Sequence, residues 1–331
     1  MNTQLLSDSD TDLEHAASIL SQGGTVAVPT ETVYGLAANA RDATAVAKIF
    51  AAKGRPSNHP LIVHIHNTKQ LSELSANVPQ QAYTLADAFW PGPLTMILPK
   101  HERALDAVTG GLDSIGVRMP AHPVLHRLLS EGDLIVAAPS ANPHKKLSPT
   151  SAQQVFKELY GKIDAVVDGG PCAVGLESTI IDLSRINEGE SPRVLRAGPI
   201  TAIQLSKVLG EAVIGYTAHQ QQVPGNIKQH YQPNSRLVVM NTQALSALVT
   251  QWPEEAACLY YSDHLISQFD QLETPPAHLQ RLSSDKSEYA RALYAALYQL
   301  DQQGIKQILV EHPPHSDEWE DVNDRLKRAS A

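Results

Sequence analysis

The sequence predicts an α/β protein of two domains, and three observations carry that reading. The chain has 331 residues, more than one domain of ordinary size. Short apolar runs at 25–28, 60–65 and 95–99 alternate with stretches of helical periodicity. The same alternation resumes after a Gln-, Gly- and Pro-rich stretch at 211–235, which reads as a linker. The expected boundaries are therefore a first domain over 1–210, a linker over 211–235 and a second domain over 236–331.

Each element has its own local reason. Residues 11–23 read as a helix with Thr11 and Glu14 as a capping box; Leu13, Ala16, Ala17 and Leu20 form its apolar face, and Gly23 stops it. TVAV at 25–28 reads as a buried strand. The next helix runs over 43–53, with Val46, Ile49 and Phe50 on one side and Gly54 and Pro56 beyond its end. PLIVHI at 60–65 is a strand, 80–89 a helix and TMILP at 95–99 a strand. SIGVRMP at 114–120 alternates: Ile115, Val117 and Met119 face one way, Ser114, Gly116 and Arg118 the other. A helix near 122–131 leads to LIVAAPSAN, a strand running into a loop. SPTSAQQVFKELYG reads as a helix that starts at its Ser and Pro149. Strands AVVDGG, STIIDL and RVLRAG follow, then a helix opened by Thr201 and Gln204. In the second domain RLVVM, AACLYY and KQILVE read as strands, with helices near 243–251, 287–303 and 318–330. Ala290, Leu293, Tyr294, Leu297 and Leu300 make one apolar face. Strands alternating with helices imply a small, largely parallel sheet there.

Composition narrows the function. The 42% hydrophobic content suffices for real cores, and no run is long and apolar enough to cross a membrane. The acidic N-terminus lacks the apolar segment of a signal peptide. Cys172 and Cys258 lie far apart, which fits a reducing cytoplasm better than a disulfide framework or a zinc knuckle. A net charge of −9 argues against nucleic-acid binding by the whole surface. There is no GxxxxGK[ST], no GxGxxG and no paired CxxC. His312 and His315 in EHPPH read as a surface loop before they read as metal ligands.

Four segments bring polar side chains to strand ends. PTETVYGLAA at 29–38 is a turn whose hydroxyls can bond their own backbone. KGRPSNHPLIVHI at 53–65 carries Lys53 and Arg55; these complement a helix end or suit polyphosphate. In the same segment His64 is turned to the less apolar face of its strand, where a hydrogen-bonded structural role is the plainer reading. Arg118 projects from an apolar strand and needs an anion, either a protein carboxylate or a substrate's, and no acid stands near it in sequence. APSANPHKKLSPT at 138–150 places Ser140 and Asn142 on a loop after a strand, and Ser148 as an N-cap or a phosphate contact.

Taken in order, PTETVYGLAA, KGRPSNHPLIVHI, FWPGPLT, SIGVRMPAHP, APSANP…SPT, GLESTIIDL and VLRAGPI resemble the YrdC-domain threonylcarbamoyl-AMP synthases over about residues 10–210. PGNIKQHYQP at 224–233, ARALYAALYQLDQQGIKQILVE and the terminal NDRLKRAS resemble the long form of that family. The linker departs from the family at Asn226–Ile227 and Gln229, as do the loop 144–147 and the segment 312–320. The resemblance implies a twisted, open mixed sheet with a concave cavity, followed by a smaller Rossmann-like domain. It also implies residue roles. Thr32, His64, Arg118, Ser178 and the backbone at Ala138 correspond to a threonine site; Lys53, Arg55, His59, Ser114, Ser140, Asn142, Ser148, Arg196 and Tyr231 correspond to an ATP site. The implied reaction joins L-threonine, bicarbonate and ATP into threonylcarbamoyl-AMP and pyrophosphate. Mg2+ would be carried on the phosphates without a carboxylate cage. A downstream transferase would consume the product, so tRNA is met only indirectly, and residues 224–233 would close over the cavity as a lid. Two rival readings exist. An RNA-binding module of the same fold is disfavoured by the net charge and the lack of an aromatic and basic stripe. A carbamoyltransferase of the hydrogenase-maturation kind would need zinc fingers that two cysteines cannot build.

Overall fold

The computed structural model describes residues 2–217, 219, 221, 223–225 and 229–331; Asn226 and Ile227 of the linker lie outside them. Backbone contacts divide the chain into two compact units. The first comprises Met1–His144, Ser148–Ala173 and Glu177–Asn226, the second Lys145–Leu147, Val174–Leu176 and Ile227–Ala331. Of the stretch 211–235, the described residues up to Gly225 thus group with the first unit.

The first unit is built on a ten-stranded mixed sheet. In chain order its strands are β1 (Gln4–Leu6), β2 (Val26–Val28), β3 (Gly35–Asn39), β4 (Ile62–His64), β5 (Leu94–Pro99), β6 (Ser114–Arg118), β7 (Val136–Ala137), β8 (Ala165–Val167), β9 (Thr179–Asp182) and β10 (Arg193–Arg196). Across the sheet they run β1-β8-β2-β3-β7-β4-β6-β5-β9-β10. Helices Ala43–Lys53, Gln80–Phe89 and Ala202–Leu209 pack on one face through Val46, Ile49, Leu85 and Leu205. On the other face, helices Asp10–Ser21 and Pro123–Glu131 cover β1, β8, β2, β3 and β7 through Leu13, Leu20, Leu125 and Leu128. The rest of that second face is a small apolar strip, Ile62, Ile97, Ile180 and Leu195, against which Val223 is buried. A sheet face without helix cover is where polar side chains can be placed.

The second unit has a four-stranded, wholly parallel sheet, the architecture its strand and helix alternation predicts. Its strands β11 (Arg236–Met240), β12 (Ala256–Tyr260), β13 (Leu279–Arg281) and β14 (Gln307–Glu311) run in the order β11-β14-β12-β13. Helix Lys286–Asp301 buries Ala290, Leu293, Tyr294, Leu297 and Leu300, the face expected from sequence.

Several local expectations need correction. The first helix is capped by Ser9, whose side chain accepts from Asp12 N, and not by Thr11. The helix after the 138–150 segment begins at Ala152 with Ser151 as its cap, so Ser148 and Pro149 stand outside it. β1, β3 and β13 and the helix Asp263–Asp270 have no counterpart in the sequence reading. β3 was missed because its strand lies inside PTETVYGLAA, where the hydroxyl-rich turn dominates the local signal. By contrast, Asp42 caps and Gly54 ends the helix Ala43–Lys53, with Gly54 at φ 62°, and Thr201 with Gln204 forms the expected capping box.

Candidate active site

The part of the sheet face without helix cover carries the polar cluster, and its residues are buried. His64 on β4 lies directly across from Arg118 on β6. Met96 pairs with Val117, which sets Thr95 of β5 beside Arg118 on the same face. Gly116 lies two residues before Arg118, in the floor of the face. A Cβ there would come within 3.2 Å of Ile97 Cδ1 and 3.6 Å of Ile62 Cγ1. The Ile97 and Ile62 side chains thus pack tightly over the Gly116 backbone.

Arg118 is 4% exposed, so its charge must be compensated within the fold. Its Nε donates to Gly92 O (3.2 Å), Nη1 to Thr32 Oγ1 (2.9 Å) and Nη2 to Glu31 Oε1 (2.5 Å). Of the two anions that the sequence left open for Arg118, the protein carboxylate is present. Glu31 is that acid, 87 positions away in sequence. The three bonds use three of the five guanidinium N–H groups, which leaves two for a ligand. Thr32 is held in turn, its hydroxyl 2.8 Å from that of Thr30.

His64 is buried, and Nδ1 has no hydrogen-bond partner. The structural role that a lone strand histidine suggests would give it one. Burial, and then the Arg118 charge, push its pKa down to about 3, so the ring is neutral at physiological pH. Ser178 precedes β9, and its hydroxyl lies 2.8 Å from that of Thr95. Arg196, at the end of β10, donates from Nε (3.0 Å) and Nη2 (2.9 Å) to Ser178 O, and from Nη2 to Ser178 Oγ (3.0 Å). Its Nη1 donates to Pro224 O at 2.9 Å. One residue assigned to threonine and one assigned to ATP thus share a hydrogen-bond network that includes Pro224 of the linker. Ala138 continues β7, and its N–H donates to Ile62 O at 3.0 Å.

Of the remaining residues assigned to ATP, Lys53 and His59 contact the loop that carries Ser140, Asn142 and Ser148. Lys53 leaves the last helical turn and buries its ammonium on the carbonyls of Ser140 and Asn142, the latter at 2.5 Å, with Asn142 Oδ1 at 3.4 Å. Burial, reinforced by Arg55, lowers its pKa well below the usual lysine range. Neither a surface helix-dipole contact nor an open cation describes it; Lys53 locks the loop. Arg55 donates to Pro60 O at 2.9 Å. The His59 ring meets that of His144 edge-on at 5.9 Å, and burial followed by Arg55 lowers the His59 pKa. Ser148 donates to Glu177 Oε1 at 2.6 Å. Ser114 opens β6 opposite Pro99.

Tyr231 belongs to the second unit. It is 1% exposed with φ 61°, its ring stacks on Tyr294 at 5.7 Å, and the Arg325 guanidinium lies 5.5 Å from its centroid. His312 and His315 stack on each other at 4.1 Å, and among the described residues no group of three or more His, Cys, Asp or Glu side chains comes together as a metal site. The residues that sequence reasoning missed are Glu31 and Thr95. Glu31 was within reach, because a buried arginine requires an acid and Glu31 stands inside a motif already singled out.

Two family models match the chain. One, Sua5_yciO_yrdC (telomere recombination), covers residues 18–198; the other, the threonylcarbamoyl-AMP synthase C-terminal domain, covers residues 200–331. The chain belongs to the threonylcarbamoyl-AMP synthase family, a family of enzymes. Among its relatives, the threonylcarbamoyl-AMP synthase of Pyrococcus abyssi is 38% identical over 95% of this chain and 93% of its own length. That of Bacillus subtilis is 37% identical over 99% and 95%. A crystal structure of P. abyssi Sua5 complexed with L-threonine superposes with a TM-score of 0.87 at 37% identity, covering all of this chain and 98% of that one. Escherichia coli YciO, at 23% identity and a TM-score of 0.53, shares the fold over 59% of this chain.

Proposed function

We propose that this chain is an L-threonylcarbamoyladenylate synthase: it joins L-threonine, bicarbonate and ATP into threonylcarbamoyl-AMP and pyrophosphate, for threonylcarbamoyladenosine modification of tRNA. The observation that carries this reading is the convergence of Thr32, His64, Arg118 and Ser178 at one sheet face that no helix covers, in a family with a relative solved in complex with L-threonine.

The chemistry follows from the groups present. The two remaining N–H groups of Arg118 take the carboxylate of threonine. The neutral ring of His64 can accept a hydrogen bond from the amine. Bicarbonate releases CO2 and hydroxide, the hydroxide takes a proton from the ammonium to give water, and the free amine adds to CO2 and loses its second proton to solvent as the carbamate forms. A carbamate oxygen then attacks the α-phosphorus of ATP, and the bond to the pyrophosphate oxygen breaks. The protein's task is positioning and charge stabilisation. Arg55 and Arg196 supply cations; Lys53 holds Ser140 and Asn142 in place for the nucleotide. Mg2+ enters with ATP on the phosphate oxygens, which suits a site built from cations, hydroxyls and amides. Tyr231 and the residues after Val223 are proposed to serve closure over the nucleotide; the burial of Val223 and the Arg196–Pro224 bond support the linker's part in this. The product is a labile mixed anhydride, so a transferase must consume it. The reaction belongs in the cytoplasm, where ATP and tRNA are at hand.

The test is incubation of the purified chain with L-threonine, bicarbonate and Mg-ATP, with mass detection of the adenylate and of pyrophosphate. Omission of any one substrate should abolish both products. Absence of a threonine- and bicarbonate-dependent adenylate would sink the reading.

A further inference from the structure

Arg118 does not hold its geometry alone. Its guanidinium is fixed at three points, of which two, Gly92 O and Thr32 Oγ1, are neutral acceptors. The third is the Glu31 carboxylate, 8% exposed, and it is anchored in its own right: Oε2 accepts from Ala121 N at 3.0 Å while Oε1 accepts from Arg118. Glu31 is the one countercharge in this set. Without it the guanidinium would be a buried cation among neutral partners, and such a group swings or draws in water to recover solvation. Any movement would be felt on the face that carries His64, Thr95 and Ser178 and not in the apolar core, since Arg118 projects from that face.

We propose that Glu31 is a positioning residue for the amino-acid substrate: it holds the Arg118 guanidinium so that its two remaining N–H groups meet the incoming carboxylate. The inference rests on the functional reading above. It implies selectivity, because none of the hydrogen bonds described for Lys53, Ser148 or Arg196 involves Glu31. Loss of Glu31 should therefore weaken threonine binding and leave ATP binding alone. The opposite outcome has an equally physical basis. If Glu31 only neutralises Arg118, its removal would raise the local positive potential and tighten carboxylate binding.

Titration calorimetry on the full-length chain separates these outcomes, with L-threonine and Mg-ATP as separate probes for wild type, Glu31→Ala and Glu31→Gln. Glu31→Gln keeps the side-chain volume and one acceptor, so it carries the test if Glu31→Ala does not fold. Wild type that binds no threonine would defeat the functional reading itself. Given wild-type binding, Glu31→Ala should raise the Kd for threonine by at least about tenfold, the scale of one lost charge-assisted contact, with the Kd for Mg-ATP within about twofold of wild type. Glu31→Gln should move the threonine Kd in the same direction by less. An unchanged or lower threonine Kd in folded Glu31→Gln overturns the inference, as does an equal loss of affinity for both probes.

Discussion

Replacing His64 with Gln removes a titrating ring from the sheet while keeping a polar side chain of similar reach. In the folded chain, burial and the Arg118 charge depress the His64 pKa from its ordinary 6.5 to about 3. The unfolded chain therefore binds more protons than the folded one between those two values. Stability from this group is complete above pH 6.5 and is lost as the pH falls towards 3. The full gap corresponds to about 5 kcal/mol, and the part lost between pH 7.5 and 4.5 to about 3 kcal/mol. No hydrogen bond at Nδ1 offsets the loss, because that atom has no partner. The assay is urea denaturation of wild type and His64→Gln at both pH values and matched ionic strength, read by hydrogen exchange of the slowest β4 and β6 amides. Carboxylates common to both chains cancel in the difference. The wild type should lose about 2–3 kcal/mol more than the variant on acidification. Parallel losses, within about 1 kcal/mol, would refute the claim that the ring is held neutral by the fold.

Arg118→Ala leaves Glu31 buried without its countercharge, so stability should fall by about 3–5 kcal/mol and kcat/KM for threonine by roughly 10²-fold or more; a folded variant with normal threonine turnover would contradict this. Lys53→Met removes the charged donor to the carbonyls of Ser140 and Asn142, at about 1.5–3 kcal/mol for a hydrogen bond to a charged group. Its melting temperature and ATP affinity should fall together, and an unchanged melting temperature would show that the loop does not depend on Lys53. A chain ending at Gly215 loses the burial of Val223, worth about 1.5–3 kcal/mol, and the Arg196–Pro224 bond. Circular dichroism should show the first unit still folded while adenylate synthesis drops or AMP release rises, with Tyr231→Ala a milder version. Equal synthesis and retention by the folded truncated chain would end the lid proposal.

Local sequence rules reach three or four residues, and what they could reach they described well. Gly54 ends its helix because only a residue tolerant of positive φ closes it there. Thr201 and Gln204 satisfy each other's backbone across one turn. The alternation of SIGVRMP put Arg118 and Gly116 on one face, and the apolar face of 286–301 announced a core helix. Even the need of Arg118 for an anion was legible, since burying an arginine unpaired is too costly. The choice of partner was not. Glu31 meets Arg118 across 87 positions, and Lys53 reaches Ser140 across an equal gap. Both pairings depend on sheet order, which places β4 beside β6 and β7. The caps misread at Thr11 and Ser148 failed on a smaller scale. Several hydroxyls compete for one helix start, and the chain's path into the sheet decides which is used. The sequence alone thus determined the periodic elements and the residue types that chemistry needs. Only the tertiary structure decided which charges neutralise one another and which face lacks helix cover, because those depend on strands brought together from distant parts of the chain.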